Sequence, residues 1–354
     1  MTSLLFTDQT LHFFVIEVLS SLGLKYDNAA IMADHLVKAN LEGHDSHGVH
    51  RLSQYATSIK SGKVDLGGKI TVIRETLSTA VLDGSRVLGQ VSAKEATIKA
   101  VEKAESNGTA VVTLRNTEHI GRAGVYAADM AMKGLVGLVF CSGNGAPFVA
   151  PWGSIEGRLS TNPIAVGIPT TGAPLILDLT TSAIAEGKIQ IARNAGESLP
   201  EGVILDGEGN PSINPHDLYN GGTMLPLGGE MGHKGYGLSI VVDLLGALLG
   251  GGRAGEISAK FTNSASFWAL NPNLLVGNSQ FFELQKNYFD LIKSSAKKPG
   301  VTEVLLPGER ELQIYEIRKR EGVPVDTGSI EKLDKLASQC KIRLLSKRSI
   351  AIGK

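Results

Sequence analysis

Three of the eight histidines in this 354-residue chain fall within seven positions, in the stretch Leu41-Glu42-Gly43-His44-Asp45-Ser46-His47-Gly48-Val49-His50-Arg51. Imidazole exchanges a proton near neutral pH, the Arg51 guanidinium grips a carboxylate or phosphate with a planar fork, and the Ser46 hydroxyl donates to a ligand oxygen. Together they predict acid/base chemistry on a small anion. His44, His47 and His50 recur every three residues, so two other readings stand beside that one: a metal-binding stripe on a helix, and a histidine cluster that only packs. Gly43 and Gly48 argue against an uninterrupted helix. No second group of Cys, His or carboxylate residues has the spacing to complete a zinc site. Asp45 either sets the tautomer of a neighbouring imidazole or caps a helix.

Other stretches with chemical potential follow in order. Arg115-Asn116-Thr117-Glu118-His119-Ile120-Gly121-Arg122-Ala123-Gly124 and Cys141-Ser142-Gly143-Asn144-Gly145 each come directly after an apolar run that reads as a strand. Ligands collect where strands end and helix N-termini begin, so two such loops point to a shared cleft. Asp178-Leu179-Thr180-Thr181-Ser182 ends another strand, and Thr180 to Ser182 are positioned to cap a helix there and cradle a phosphate. Gly228-Gly229-Glu230-Met231-Gly232-His233-Lys234-Gly235-Tyr236-Gly237 would let the backbone approach phosphates while Lys234 neutralises them, or is simply a loop carrying one lysine. Pro307-Gly308-Glu309-Arg310 stands at a further strand-to-helix corner.

The elements that must position these residues can be read from periodicity. Thr7 or Asp8 caps a helix bearing Leu11, Phe14, Val15, Val18, Leu19 and Leu22, stopped at Gly23; Asp27 caps a second with Ile31, Leu36, Val37 and Leu41 inside. Leu52, Tyr55, Ala56 and Ile59 continue a third to Ser61-Gly62, which makes the histidine stretch the joint between two helices. From Ile70 the pattern turns to β: strands at 70–73, 79–82, 109–114 and 135–140 alternate with helices at 91–106 and 123–132. Strands at 164–169, 174–179, 266–270 and 301–306 and helices at 183–192, 279–293 and 309–322 follow. Residues 194–222 read as a flap or surface excursion, 238–250 as a buried helix, and 344–354 as a fraying basic end. This alternation predicts an α/β protein, a mixed sheet covered by helices behind a helical N-terminal region. A boundary is expected near 62–69. The organisation read is a helical region 1–66 packing with 279–340, an α/β cofactor-binding domain 67–222, and a smaller segment 223–278 that completes the active site.

Composition narrows the function. Residues are 42% apolar and 20% charged, and Lys+Arg balances Asp+Glu at 35 each, so no basic field invites nucleic acid or an anionic membrane. No apolar stretch is long enough to span a bilayer. Cys141 and Cys340 lie far apart and no secretory signal opens the chain, which fits a cytoplasmic, reducing setting. A dinucleotide enzyme of the usual kind would carry G-x-G-x-x-G after a strand; that motif, the P-loop, H-E-x-x-H, C-x-x-C and G-x-S-x-G are all missing.

What remains is an ordered set: Asp45-Ser46-His47-Gly48 with Arg51, Arg115-Asn116 with His119 and Gly121, Pro151-Trp152-Gly153, Thr161-Asn162-Pro163, Asp178-Leu179-Thr180, His233-Lys234-Gly235, and Leu306-Pro307-Gly308-Glu309. In this order, over roughly residues 5 to 340, the chain resembles the malate/L-lactate dehydrogenase type 2 family, and within it the hydroxycarboxylate dehydrogenase type. The resemblance implies a non-Rossmann dinucleotide-binding fold of the sulfolactate dehydrogenase kind, NAD or NADP as cofactor, a small 2-hydroxy or 2-oxo acid as substrate, and a homodimer with its active site near the subunit interface. It implies His47 and His119 as acid/base residues, and Ser46, Arg51 and His119 as substrate contacts. It implies cofactor contacts from His47, Gly121, Arg122, Ala123, Leu177, Asp178, Leu179, Thr180, Thr181, His233, Lys234, Asn263, Gly308, Glu309 and Arg310, and no metal. Reduction of a cyclic imine acid, Δ1-piperideine- or pyrroline-2-carboxylate, is the alternative within this class. A metal-dependent hydrolase using the three histidines of the opening stretch is the alternative outside it.

Overall fold

The computed structural model describes residues 3–256 and 261–350. A short strand, β1 (Ser3–Phe6), leads into α1 (Asp8–Ser21), which Thr7 caps by accepting from the Thr10 backbone N–H. Helix α2 (Tyr26–Leu41) begins one residue ahead of Asp27, which therefore lies inside the first turn instead of capping it. Between α2 and α3 (Leu52–Lys60) the histidine stretch forms two 3-10 turns, Asp45–His47 and Val49–Arg51, broken at Gly48. A Cβ at Gly48 would fall 2.2 Å from the Asn40 side-chain oxygen, so the break is possible only with glycine.

The central sheet takes β2 (Thr71–Glu75), β3 (Thr79–Asp83), β4 (Thr109–Thr117), β5 (Val136–Asn144), β6 (Ile164–Ile168) and β7 (Leu175–Leu179), with α4 (Gly89–Asn107) and α5 (Ala123–Met132) between them. Helix α6 (Glu186–Ala195) begins three residues later than the sequence suggests, with Ala185 at its cap position, so Thr180 to Ser182 do not cap it. Residues 194–222 are more than an excursion. The two-residue strands β8 (Ile204–Leu205), β9 (Pro211–Ser212) and β10 (Thr223–Met224) make a small sheet over a core that includes Val149, Ile189, Leu218 and Met224.

Helix α7 (His233–Val242) runs on through one π turn, Asp243–Ala247, into a 3-10 turn, Leu248–Gly250. Gly246 and Gly250 let it lie against Phe140 and Thr113 on the sheet face opposite α4 and α5. Its other side is open, with Leu244 49% and Leu249 56% exposed, so 238–250 is not the buried helix its hydropathy suggests. Strand β11 (Thr262–Leu270) then enters the middle of the sheet, giving the order β2-β3-β4-β11-β5-β6-β7, in which only β3 and β4 are parallel.

The last part holds α8 (Asn278–Lys293), α9 (Glu309–Glu321), β12 (Val323–Asp326) and α10 (Thr327–Gln339). Residues 301–306 carry strand-like residue types but pair with no strand; instead Pro307 accepts from the Ile176 N–H at the edge of β7. β12 pairs antiparallel with β1, and Val323, Val325, Leu333, Leu336 and Leu345 join Leu11, Phe14, Leu19, Met32 and Leu36 in one core. The chain end is accordingly held in place rather than frayed: Leu345 is buried, Arg348 pairs with Glu17, and Ile350 donates to Leu5; residues 351–354 lie outside the described range. A second core, under α4 and α5, fills one face of the sheet. No helix among the described residues is long and apolar enough to cross a membrane.

Candidate active site

The joint between α2 and α3 keeps its shape through Asn40. This buried side chain accepts from the Val49 N–H (2.8 Å) and donates to Asp45 (2.6 Å), while Arg318 on α9 closes on the same carboxylate with two bonds of 2.7 and 2.9 Å. Asp45 is thus a strut rather than a partner of an imidazole. The three histidines of the joint turn to different partners: His47 Nδ1 to the Ser46 hydroxyl (3.1 Å), His50 Nε2 to the Ser46 carbonyl (3.0 Å), and His44 Nε2 toward Glu311 at 3.7 Å. Among the described residues no three His, Cys, Asp or Glu side chains converge as metal ligands would.

Arg51 donates through Nε to the Ser46 carbonyl (2.8 Å) and through Nη1 to Gln54 (2.8 Å), with Glu186 3.9 Å from Nη2. An arginine has five N–H groups, so the end-on edge of the fork remains free to take a carboxylate. The His119 ring stacks 5.9 Å from that of His47, at an interplanar angle of 20°. Its Nδ1 lies 2.9 Å from the Tyr55 hydroxyl, which itself receives the Gln90 amide (2.6 Å). The Tyr55 hydroxyl therefore occupies Nδ1 and leaves Nε2 as the ring's other hydrogen-bonding edge. Tyr55 and Gln90 are buried and give no signal in the sequence, where Tyr55 reads as one more inward residue of a helix.

His44, Ser46, His47, Arg51 and His119 line one cavity of about 790 Å³, within the roughly 300–1,000 Å³ usual for ligand sites. Of the expected site residues, Ser46, His47, Arg51, His119, Gly121, Arg122, Ala123, Asp178, Leu179, Thr180 and Asn263 face it. Several of them also hold the walls. Arg122 is shared between Glu42 and Asp178 (2.9 Å), and its backbone N–H goes to His35 (2.9 Å). Asn263 accepts from the Ile120 N–H (3.0 Å) and donates to the Ser142 carbonyl (3.2 Å), pinning the loop before α5 to β5. Thr181 is wholly buried and donates to the Asn162 carbonyl (3.0 Å), and Leu177 is exposed on the edge strand β7.

His233 and Lys234 are exposed at the start of α7, with the Trp152 ring 6.1 Å from that of His233, outside the cavity lining. Gly308, Glu309 and Arg310 also stand outside it: Gly308 takes a left-handed turn against Ile176 of β7, and Glu309 accepts from the Leu306 N–H (2.8 Å) in the segment leading into α9. Arg115 and Asn116 turn away to Asp83. Lining residues that the sequence gave no reason to select are Gln54, Glu186, Gln190, Tyr219 and Phe261.

Electrostatically the cavity keeps its histidines neutral. Burial, followed by the charge of Arg51, holds His119 down to about 3; burial, then His119 and Arg51, holds His47 well below 6.5. Burial lowers His44 to about 3, with Arg122, Lys188, Arg310 and Arg318 adding to it. Burial raises Asp178 against the pull of Arg122 and the Gly124 N–H.

A dinucleotide fits these surroundings. The space greatly exceeds a three-carbon acid, and His44 Nε2 is buried without a hydrogen-bond partner, 3.7 Å from Glu311 and under the charge of Arg122, Lys188, Arg310 and Arg318.

The model of the malate/L-lactate dehydrogenase family matches residues 6–334. A malate dehydrogenase of Pyrococcus abyssi is 38% identical, covering 93% of each chain. Hydroxycarboxylate dehydrogenase B of Escherichia coli K12 is 35% identical over 94% of each. The solved sulfolactate dehydrogenase of Methanocaldococcus jannaschii superposes with a TM-score of 0.86 at 32% identity, covering 97% of this chain and 99% of that one.

Proposed function

Since the chain belongs to the malate/L-lactate dehydrogenase family, we propose that its cavity binds NAD or NADP beside a small 2-hydroxy or 2-oxo carboxylic acid and interconverts the two forms of the acid. The chain is a 2-hydroxyacid dehydrogenase by family, and the coming together of His47, His119 and Arg51 in one cavity is the observation that carries the finer reading. A nicotinamide bound there would supply the hydride chemistry at C2 of the acid.

The residues do the rest. The free edge of Arg51 holds the substrate carboxylate, and the buried position of its stem fixes the direction of approach. With Nδ1 engaged on both rings, the Nε2 edges of His47 and His119 are what the C2 oxygen meets. One of them, as the imidazolium, gives its Nε2 proton to that oxygen during reduction and, as the neutral ring, takes it back during oxidation. A bound carboxylate also offsets the Arg51 charge that holds both imidazoles down, so substrate arrival makes protonation easier. His44, Lys188 and Arg310 would face the cofactor's phosphates.

Reduction of a cyclic imine acid needs the same parts. The Glu186 carboxylate beside Arg51, suited to a cationic ring nitrogen, is the observation that keeps it as the second reading. The test is an absorbance screen of both reduced nicotinamides against a panel of 2-oxo acids and cyclic imine acids. Loss of the nicotinamide band with an oxo acid supports the first reading, loss only with an imine supports the second, and no change with any pair overturns both.

Assembly as a homodimer belongs to the same proposal, supported by the open apolar side of α7 and the turns that follow it. A reducing, cytoplasmic setting is supported by two unpaired cysteines, one of them buried.

A further inference from the structure

We propose that Glu186 selects the substrate, restricting the site to monocarboxylates whose remaining group is neutral or cationic and disfavouring acids with a second negative group. This rests on the reading of the cavity as the 2-oxo acid site. Glu186 opens α6 and is held rigidly: its Oε1 accepts from the Tyr219 hydroxyl (2.7 Å) and the Gln190 amide (2.6 Å), leaving Oε2 aimed at Arg51 Nη2, 3.9 Å away. Burial and the neighbouring Glu186 keep the Tyr219 phenol protonated, and the Arg193 guanidinium lies over its ring, 4.1 Å from the centroid.

A Cβ at Gly187 would stand 2.5 Å from Arg51 Nη2 and 3.2 Å from the Ser46 Cβ, so the first turn of α6, which carries Glu186, is pressed against the substrate-binding joint.

The charges then decide. Arg51 has Nε and Nη1 engaged, so a carboxylate held on its free edge shares Nη2 with Glu186. One guanidinium facing Glu186 and one substrate carboxylate is tolerable; a second substrate anion adds repulsion from Glu186, while Arg193 lies over the Tyr219 ring and outside the cavity lining. Lys188, which also lines the cavity, exerts its charge at His44. For like charges about 5 Å apart at the effective dielectric of a protein site, the discrimination is roughly tenfold or more.

The experiment compares wild type with Glu186→Gln and Glu186→Asp in two ways. The first is kcat and KM for pyruvate and oxaloacetate with either reduced nicotinamide. The second is calorimetric Kd, with no oxidised cofactor present, for two anions that cannot then react, monoanionic oxamate and dianionic tartronate. Expected is a preference of at least about tenfold for pyruvate and for oxamate in wild type. That preference should fall about tenfold in Glu186→Gln through KM and Kd, and survive in Glu186→Asp. An unchanged preference in Glu186→Gln, or tartronate binding wild type as tightly as oxamate, overturns the role of Glu186 even if oxo acids are reduced. If no oxo acid is reduced yet the oxamate preference is present and lost in Glu186→Gln, the reaction reading falls and the role of Glu186 stands. Failure of both anions to bind overturns both.

Discussion

Nothing but Nε2 is left for chemistry on either His47 or His119, because Ser46 and Tyr55 occupy the other nitrogens. At least one of His47→Ala and His119→Ala should lower kcat by about 10²–10⁴-fold, read as the steady-state rate of nicotinamide oxidation. Near wild-type turnover in both variants would remove them from proton transfer. Arg51→Lys exchanges a fork for a point charge and should raise KM for the acid at least about tenfold, with a smaller change in kcat.

The same neutral imidazoles make the protein sensitive to acid. His35, His44 and His119 are held to about 3 and His50 to about 4, chiefly by burial. Between those values and the unfolded value of about 6.5 the unfolded chain binds more protons than the native one, so stability is complete above pH 6.5 and drains away as pH falls toward 4. Each histidine contributes up to about 1.4 kcal/mol per pH unit across that window. The urea midpoint should be flat from pH 7 to 8 as far as these groups are concerned and drop steeply from 6.5 to 4.5; a constant midpoint over the acid range would contradict it. The sequence displays these histidines but not their depression, since density of a residue type says nothing about how dry it will be. Glu186 was invisible for a related reason: it lies 135 residues beyond Arg51 in the chain and only folding sets the two 3.9 Å apart.

Among the elements, the joint between α2 and α3 depends most on one side chain. Asn40→Ala leaves the Val49 N–H buried without an acceptor and removes one of the bonds on Asp45, a loss of about 1–3 kcal/mol in denaturant unfolding. Turnover should fall more than that stability loss alone explains, because the Ser46 carbonyl that steadies Arg51 shifts with the joint. Full activity in Asn40→Ala would show that the joint keeps its shape without this strut.

How legible each element was follows from its local physics. Helix α1 buries a clear stripe and α5 nearly every residue, and both begin and end about where the sequence pattern puts them. The strands β8 to β10 are two residues long, too short for any alternation to show, and residues 301–306 carry the residue types of a strand with no neighbour to pair with. The run from Leu238 to Gly250 is apolar all round. Hydropathy therefore marks it as buried, although only one side meets the sheet.

On the scale of the whole molecule that uncovered side should meet a second copy. Light scattering is expected to give twice the 37.4 kDa chain mass, and Leu244→Asp with Leu248→Asp should halve it, while the fold of the single chain persists because both side chains already face outward. A monomeric wild type would remove the dimer from the proposal.

The place of β11 has a different consequence, in time rather than in space. β4 and β5 are 18 residues apart in sequence, yet neither hydrogen-bonds the other; both wait for residues 262–270 to slide between them. On the ribosome, the first two hundred and more residues therefore emerge with two open strand edges that have only each other as a wrong partner. β1 meanwhile waits still longer, for residues 323–326. Such distant pairings slow folding and leave the nascent chain dependent on protection from aggregation. The joint bearing Ser46, His47 and Arg51 is among the first parts synthesised, and the core beneath it is among the last to close.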